Sequence, residues 1–190
     1  MRQYACLKKN EFELGQYKIV PLRHEDILKI KDWRNGQMEI LRQKSEITEE
    51  QQIAYFDKVV WPLFEMSQPT QLLFSYLKDE ELIGYGGLVY IDWLDQRAEV
   101  SFLVDTVRAL DSSIYQKDFE TYLNLIKQVA FEGMKFNRIF TETFDIRGHH
   151  ISVLEASGFV KEGCMKQHIN INNKFIDSII HGYLKEYYHA

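Results

Sequence analysis

Residues 131–163, FEGMKFNRIFTETFDIRGHHISVLEASGFVKEG, constrain the fold more than any other stretch. Phe131 to Lys135 read as the end of a helix, with Gly133 near its C-terminus. Ile139 to Phe144 alternate apolar and polar residues and are rich in β-branched and aromatic types, as a half-buried strand is. Asp145 to His150 form a polar turn. Ile151 to Ser157 carry Ile, Val and Leu at helical spacing, and Gly158 sits where a helix needs its left-handed terminal residue. A second strand starts at Phe159. The stretch therefore predicts helix, strand, turn, short helix, strand, and the remaining elements must pack around that crossover.

A chain of 190 residues is long enough to bury one sizeable core, and 1–190 is expected to be a single domain. A net charge of −5 leaves no electrostatic footprint for a nucleic-acid backbone, so no nucleic-acid partner is expected. The two cysteines, Cys6 and Cys164, are far apart and lack metal-ligand spacing, which predicts reduced thiols, no zinc site and a cytoplasmic protein. No apolar run reaches about 18 residues, the length a membrane span requires, and the N-terminal residues lack the apolar segment of a signal peptide.

Residues 1–16 are mixed in character; Tyr4 to Leu7 read as an extra strand or a loosely held arm. Tyr17 to Leu22 predict a strand, and Ile27, Leu28, Ile30 and Trp33 give a short helix its apolar stripe, closed by Asn35-Gly36. Thr48-Glu49-Glu50-Gln51 is a capping box, and Ile53, Phe56, Val59, Val60 and Leu63 predict one buried face of a helix reaching Phe64. Pro62 should end or bend that helix. Three strands follow, Leu72–Leu77, Leu82–Tyr90 and Ala98–Val104, joined by acidic turns into an antiparallel sheet. The glycines of LIGYGG predict a bulge or a close backbone approach. A long helix is expected from about Tyr115 to Glu132, and a closing hairpin from Val160 to Leu184 turns at Asn172-Asn173. The predicted class is α+β, with helices layered on both faces of a mostly antiparallel mixed sheet.

This order of elements, with Asn137-Arg138-Ile139, Phe144, Leu154, Gly158-Phe159 and Glu162-Gly163 at their spacing, resembles the GCN5-related N-acetyltransferase (GNAT) superfamily. Within it, the phrases resemble the branch of ribosomal-protein and amino-sugar acetyltransferases, and Trp33-Arg34-Asn35 resembles a first-helix phrase of amino-sugar enzymes. The resemblance spans about Tyr17 to Tyr187. It implies acetyl transfer from acetyl-CoA to a primary amine, on a sheet whose two central strands diverge around the pantetheine. Phe102, Leu103 and Val104 would then supply the strand that meets the thioester, and the helix beginning near Tyr115 would meet the pyrophosphate.

Several positions depart from the pattern that this resemblance implies. The pyrophosphate loop falls on Ile114 to Phe119, where Lys117 and Phe119 replace small residues and Ile114 replaces a polar or basic one. Either Ser112, Ser113 and Lys117 contact phosphate through their side chains, or the loop no longer binds it. Arg147 stands where the family has a pantetheine-binding Asn, and Leu154 where it has the Tyr that protonates the thiolate. His150, one helical turn before Leu154, is either the replacement acid or base or a solvated residue beside His149. Glu99 is either the base that takes the amine's proton or an exposed or paired strand carboxylate beside Arg97.

Trp33, Arg34 and Asn35 either line the acceptor site, with Arg34 on an anionic group, or are core and surface residues. Tyr90 and Trp93 could stack on a sugar or base. The expected function is N-acetylation of an amino sugar or a nucleotide-linked amino sugar by a monomer or homodimer. The alternatives are a degenerate GNAT-fold binding module and an acetyltransferase of protein N-termini or ribosomal proteins.

Overall fold

A computed structural model describes residues 2–189. Eight strands form one sheet in the order β1-β2-β3-β4-β5-β6-β8-β7: β1 Phe12–Leu14, β2 Tyr17–Pro21, β3 Leu72–Lys78, β4 Glu81–Asp92, β5 Arg97–Val104, β6 Arg138–Phe144, β7 Val160–Ile171 and β8 Lys174–Leu184. Five α-helices accompany them: α1 Ile27–Gly36, α2 Glu49–Tyr55, α3 Thr106–Leu110, α4 Ser112–Lys127 and α5 Gly148–Ala156. All neighbouring strands run antiparallel except β5 and β6.

Helices cover both faces. Tyr76 on β3 donates its hydroxyl to the Asp118 carbonyl of α4 (2.9 Å), so even-numbered β3 residues face α4. Its neighbour Ser75 points the opposite way and bonds Asp26 just before α1 (2.6 Å). Ser75 pairs with Tyr85, whose hydroxyl accepts from Arg34 of α1 at 2.7 Å. The stripe expected from periodicity, Phe119, Tyr122, Leu123, Ile126, Val129 and Ala130, is buried in full along α4 and the π-wound turn Gln128–Gly133 that continues it. No helix among the described residues is long and apolar enough to cross a membrane.

Two parts differ from their sequence reading. Tyr4 belongs neither to a strand nor to a loose arm: it is 1 % exposed, stacks on Phe64, and its hydroxyl exchanges two 2.8 Å hydrogen bonds with the Leu73 backbone. The Thr48 capping box forms, but regular helix stops at Tyr55; a π-wound turn (Phe56–Val60) and a tight turn (Trp61–Glu65) carry the chain on. The wider winding rotates the face, so Phe56, Val60 and Leu63 are buried while Ile53 and Val59 stay exposed. Buried Gln52 fills the gap by donating to the Ile27 carbonyl (2.8 Å). Pro62, which has no N–H to give a regular helix, lies in the tight turn.

Residues that carry the family-like phrases hold the crossover together. Arg138 on β6 and Glu162 on β7 form an ion pair that crosses β8 directly above Gly182. A Cβ at Gly182 would lie 2.2 Å from Glu162 Oε1 and 2.6 Å from Arg138 Nη1, so the missing side chain makes the bridge possible. Gly158, at φ +86, ends α5 and lets Phe159 N–H bond the Leu154 carbonyl (3.1 Å). Lys127 of α4 caps the same helix end, giving Nζ–H to the Ser157 carbonyl at 2.7 Å.

The β4 glycines allow close approach, as their clustering suggests. At Gly86, a Cβ would sit 2.1 Å from the Ser101 carbonyl oxygen and 2.5 Å from the Tyr122 hydroxyl. That carbonyl accepts from the Tyr122 hydroxyl (2.8 Å), which ties the middle of β5 to α4. Gly86→Ala is expected to cost about 1–3 kcal/mol, the usual range for forced overpacking. Urea denaturation should show a lower midpoint with an unchanged slope.

Candidate active site

β5 and β6 pair over only three positions, Arg97↔Arg138, Ala98↔Ile139 and Glu99↔Phe140. Beyond them β5 stays with β4 as far as Val104, and β6 stays with β8 as far as Phe144. The strands therefore part after Glu99, and a cleft of about 960 Å³ runs through the opening. Val100, Ser101 and Phe102 form one wall and Thr141, Thr143 and Phe144 the other. One mouth opens beside Arg34, Arg42 and Tyr90, the other beside Arg147 and His150.

The first mouth holds a three-residue ion cluster. Arg42 reaches from the irregular segment after α1 and places Nη2 2.8 Å from both Glu99 Oε1 and Glu142 Oε2. Glu99 is 8 % exposed, and burial pushes its carboxyl above the ordinary range; the Arg42 hydrogen bond opposes that shift and the Glu142 charge adds to it. The expected partner Arg97 is engaged elsewhere, with Asp92 and Asp95 at the β4–β5 turn. Arg42 thus corrects the Arg97 pairing. It also lies over the ring of Tyr90, an exposed residue at φ +48.

Arg34 lines the same mouth, giving Nη1–H to Tyr85 Oη (2.7 Å) and Nε–H to Gln43 (3.1 Å). It has no carboxylate partner among the described residues. Trp33 and Asn35 do not line the cleft. Trp33 is packed in the core, and Asn35 clamps the loop that carries Arg42, bonding the Ile47 backbone in both directions (2.9 Å each) and Gln43 at 2.8 Å. Trp93 reaches the cleft wall but is tied to the Pro69 carbonyl (2.9 Å).

The second mouth is built where α4 meets α5. Tyr115 Oη lies 2.7 Å from His150 Nδ1 and accepts from Arg147 Nη2 at 3.0 Å. His150 stacks on Phe119 (4.2 Å, 16°), which stacks on Phe102 (4.6 Å, 22°). Burial pushes the His150 imidazole well below its usual pKa, with the Arg147 charge adding, so the ring is neutral. Burial raises the Tyr115 phenol. Of the residues expected to contact the donor, Phe102 and Arg147 come together here, beside the expected acid or base His150; Leu103 and Val104 are buried against β4.

Ser112, Ser113 and Lys117 are exposed on α4, outside the cleft lining. The amides of Ser113 and Ile114, at the helix start, already bond Asp111 Oδ1 at 2.9 and 3.0 Å. A carboxylate of the chain fills the seat that the helix N-terminus would offer a phosphate. The gap between the parted strands is lined differently. Thr141 Oγ1 is fully buried, has no partner among the described residues, and belongs to a residue lining the gap.

Sequence reasoning missed Arg42, Glu142, Tyr115 and Asp111 as site residues. Only Asp111 left a legible signal, an Asp followed by two serines at a helix start.

Comparison with known proteins follows this geometry. No curated protein matches the sequence significantly. Among solved structures, spermidine N-acetyltransferase from Vibrio cholerae in complex with CoA and spermine superposes with a TM-score of 0.79 at 16% identity, covering 91% of this chain and 98% of that one. Mutant forms of the Vibrio cholerae spermidine/spermine N-acetyltransferase SpeG give 0.75 at 19%, covering 92% and 97%. A dodecameric structure of the Vibrio cholerae spermidine enzyme gives 0.71 at 17%, covering 91% and 96%. At these identities the likeness is one of fold. The model of the acetyltransferase (GNAT) domain matches residues 19–180, and that span contains the parted strands, both mouths of the cleft and every residue of the two clusters. The chain belongs to the GNAT acetyltransferase family.

Proposed function

We propose that this protein transfers the acetyl group of acetyl-CoA to the primary amine of a small acceptor that also carries an anionic group, a nucleotide-linked amino sugar or a related amino sugar. The observation that carries this reading is the charge around the cleft. Four arginines line it, Arg34, Arg42, Arg97 and Arg147, against three carboxylates, Asp92, Glu99 and Glu142. Asp92 is engaged by Arg97, and Glu99 and Glu142 share Arg42, which leaves Arg34 without a carboxylate among the described residues. A guanidinium so placed suits a phosphate or carboxylate. Exposed Tyr90 at the same mouth offers a stacking face.

In the reaction the amine nitrogen adds to the thioester carbonyl carbon, the C–N bond forms and the C–S bond breaks. The amine proton passes to Glu99, and the released thiolate takes up a proton from solvent. Glu99 suits the task because its raised pKa brings a carboxylate nearer the working pH. Arg42 now sits where the acceptor's ammonium would bind, between two carboxylates. As the acceptor enters, the half-exposed Arg42 turns to the acceptor's anionic group.

A second reading, a polyamine acceptor, draws on the Glu99–Glu142 pair and on the spermidine enzymes that share the fold. A chain of several ammonium groups would meet more guanidinium than carboxylate here, which favours the anionic acceptor. A free-thiol assay on acetyl-CoA with a nucleotide-linked amino sugar, a free amino sugar, spermidine and a basic peptide separates these readings. Turnover on the nucleotide-linked sugar at least tenfold above spermidine is expected. Spermidine as the best acceptor overturns the acceptor class, and no thiol release from any acceptor supports a binding module.

Two variants follow from the same chemistry. Glu99→Gln should lower kcat/KM about 10²–10⁴-fold, the usual worth of a positioned base, while the acetyl-CoA Kd stays unchanged. It should also remove the acid limb of the pH profile, which in the wild type lies above the ordinary carboxylate range and along which activity rises as Glu99 loses its proton. Asp111→Ser keeps a helix cap and removes the negative charge. Isothermal titration should then show acetyl-CoA binding about two- to fivefold tighter, the size of one charge at a helix terminus.

A further inference from the structure

The cluster of Arg147, Tyr115 and His150 fixes where the imidazole carries its proton. Tyr115 Oη accepts from Arg147 Nη2, and the one acceptor bonded to the phenol among the described residues is His150 Nδ1, 2.7 Å away. A proton on Nδ1 would leave the buried phenol O–H without an acceptor, at about 1–3 kcal/mol. Nδ1 is therefore the acceptor, and Nε2 bears the hydrogen. Nε2 has no partner among the described residues and is not one of the fully buried polar atoms without one, while His150 lines the cleft. A flip of the ring would keep its stack on Phe119 but place a carbon where Nδ1 stands, and so lose the Tyr115 bond.

We propose that Arg147 and Tyr115 are positioning residues that hold His150 as a neutral Nε2–H donor aimed into the cleft, where it stabilises the negative charge that the thioester develops as the amine adds. This rests on the reading of the protein as an acetyltransferase and deepens it, because Leu154 has no proton to donate on the same helix. No proton leaves His150. The N–H remains a hydrogen-bond donor throughout, and a neutral imidazole serves better than an imidazolium whose formation burial opposes. The charged and titratable groups facing the ring are Arg147 just before α5, His149 of α5, Tyr115 of α4 and His181 of β8. His149 is itself turned to the Ser112 carbonyl (3.1 Å), and His181 to Glu155 at 3.3 Å.

Nitrogen-15 NMR of imidazole-labelled protein, without substrate, reads the tautomer directly. The wild type should show His150 protonated on Nε2 from pH 6 to 8, and Tyr115→Phe should lose that preference. In steady-state assays Tyr115→Phe and Arg147→Met should each lower kcat about 10- to 100-fold, the worth of one badly placed donor, with the acetyl-CoA KM within twofold for Tyr115→Phe. His150→Gln, which keeps an N–H donor, should retain more activity than His150→Ala. A wild-type His150 protonated on Nδ1, or a folded Tyr115→Phe variant with unchanged kcat, overturns the proposal. A wild type without thiol release from any acceptor overturns the reading of function and, with it, the catalytic part of the proposal, while the tautomer measurement still decides the positioning.

Discussion

The site depends on the failure of two central strands to stay paired. β5 and β6 share three residue pairs and then separate. Each keeps its other neighbour, so the sheet remains continuous at its outer ladders while its centre opens. Backbone groups along such an opening need partners. Side chains supply two on β5, the Tyr122 hydroxyl on the Ser101 carbonyl and the Gln37 amide on the Val104 carbonyl.

The two mouths of this opening are electrostatically different. On the α1 side, charge faces charge: Arg42 bridges Glu99 and Glu142 and offsets one of their two negative charges. On the α5 side, a chain of hydrogen bonds runs from Arg147 through Tyr115 to His150 and ends in an uncharged ring stacked on aromatics. An amine that must lose a proton suits the first mouth, and a developing anion that needs a donor suits the second. Asp111 adds a constraint on the donor, since its carboxylate takes the α4 amides for itself.

Most of the scaffold was legible because each of its parts has a local physical cause. Gly158 reads as a left-handed terminus and adopts one, and Asn172-Asn173 takes the positive φ values of a tight hairpin turn. Arg138, Glu162 and Gly182 explain why an NRI phrase and a GFxxEG phrase occur together: they are one ion pair and the space it needs. The site was less legible. Arg42 lies in a segment with no periodicity, so nothing local aims it at β5 and β6, and Glu142 alternates in β6 as any solvent-facing strand residue would. Tyr115 read only as a helix start, because its partner is 35 residues away. Asn35 looked like an acceptor contact and instead holds the Arg42 loop, a role visible only when both ends of that loop are placed.

The central claim is that the parted strands bring the thioester and the amine together, with Glu99 on the amine. A crystal structure with a bisubstrate conjugate, acceptor amine joined to CoA through the transferred acyl group, tests it most directly. The account predicts the pantetheine between residues 100–104 and 141–144, the former amine nitrogen within hydrogen-bond reach of Glu99 directly or through one water, and Arg42 withdrawn onto the acceptor's anionic group. A conjugate bound with β5 and β6 unoccupied between these residues, or with Arg42 still bridging Glu99 and Glu142, would contradict it.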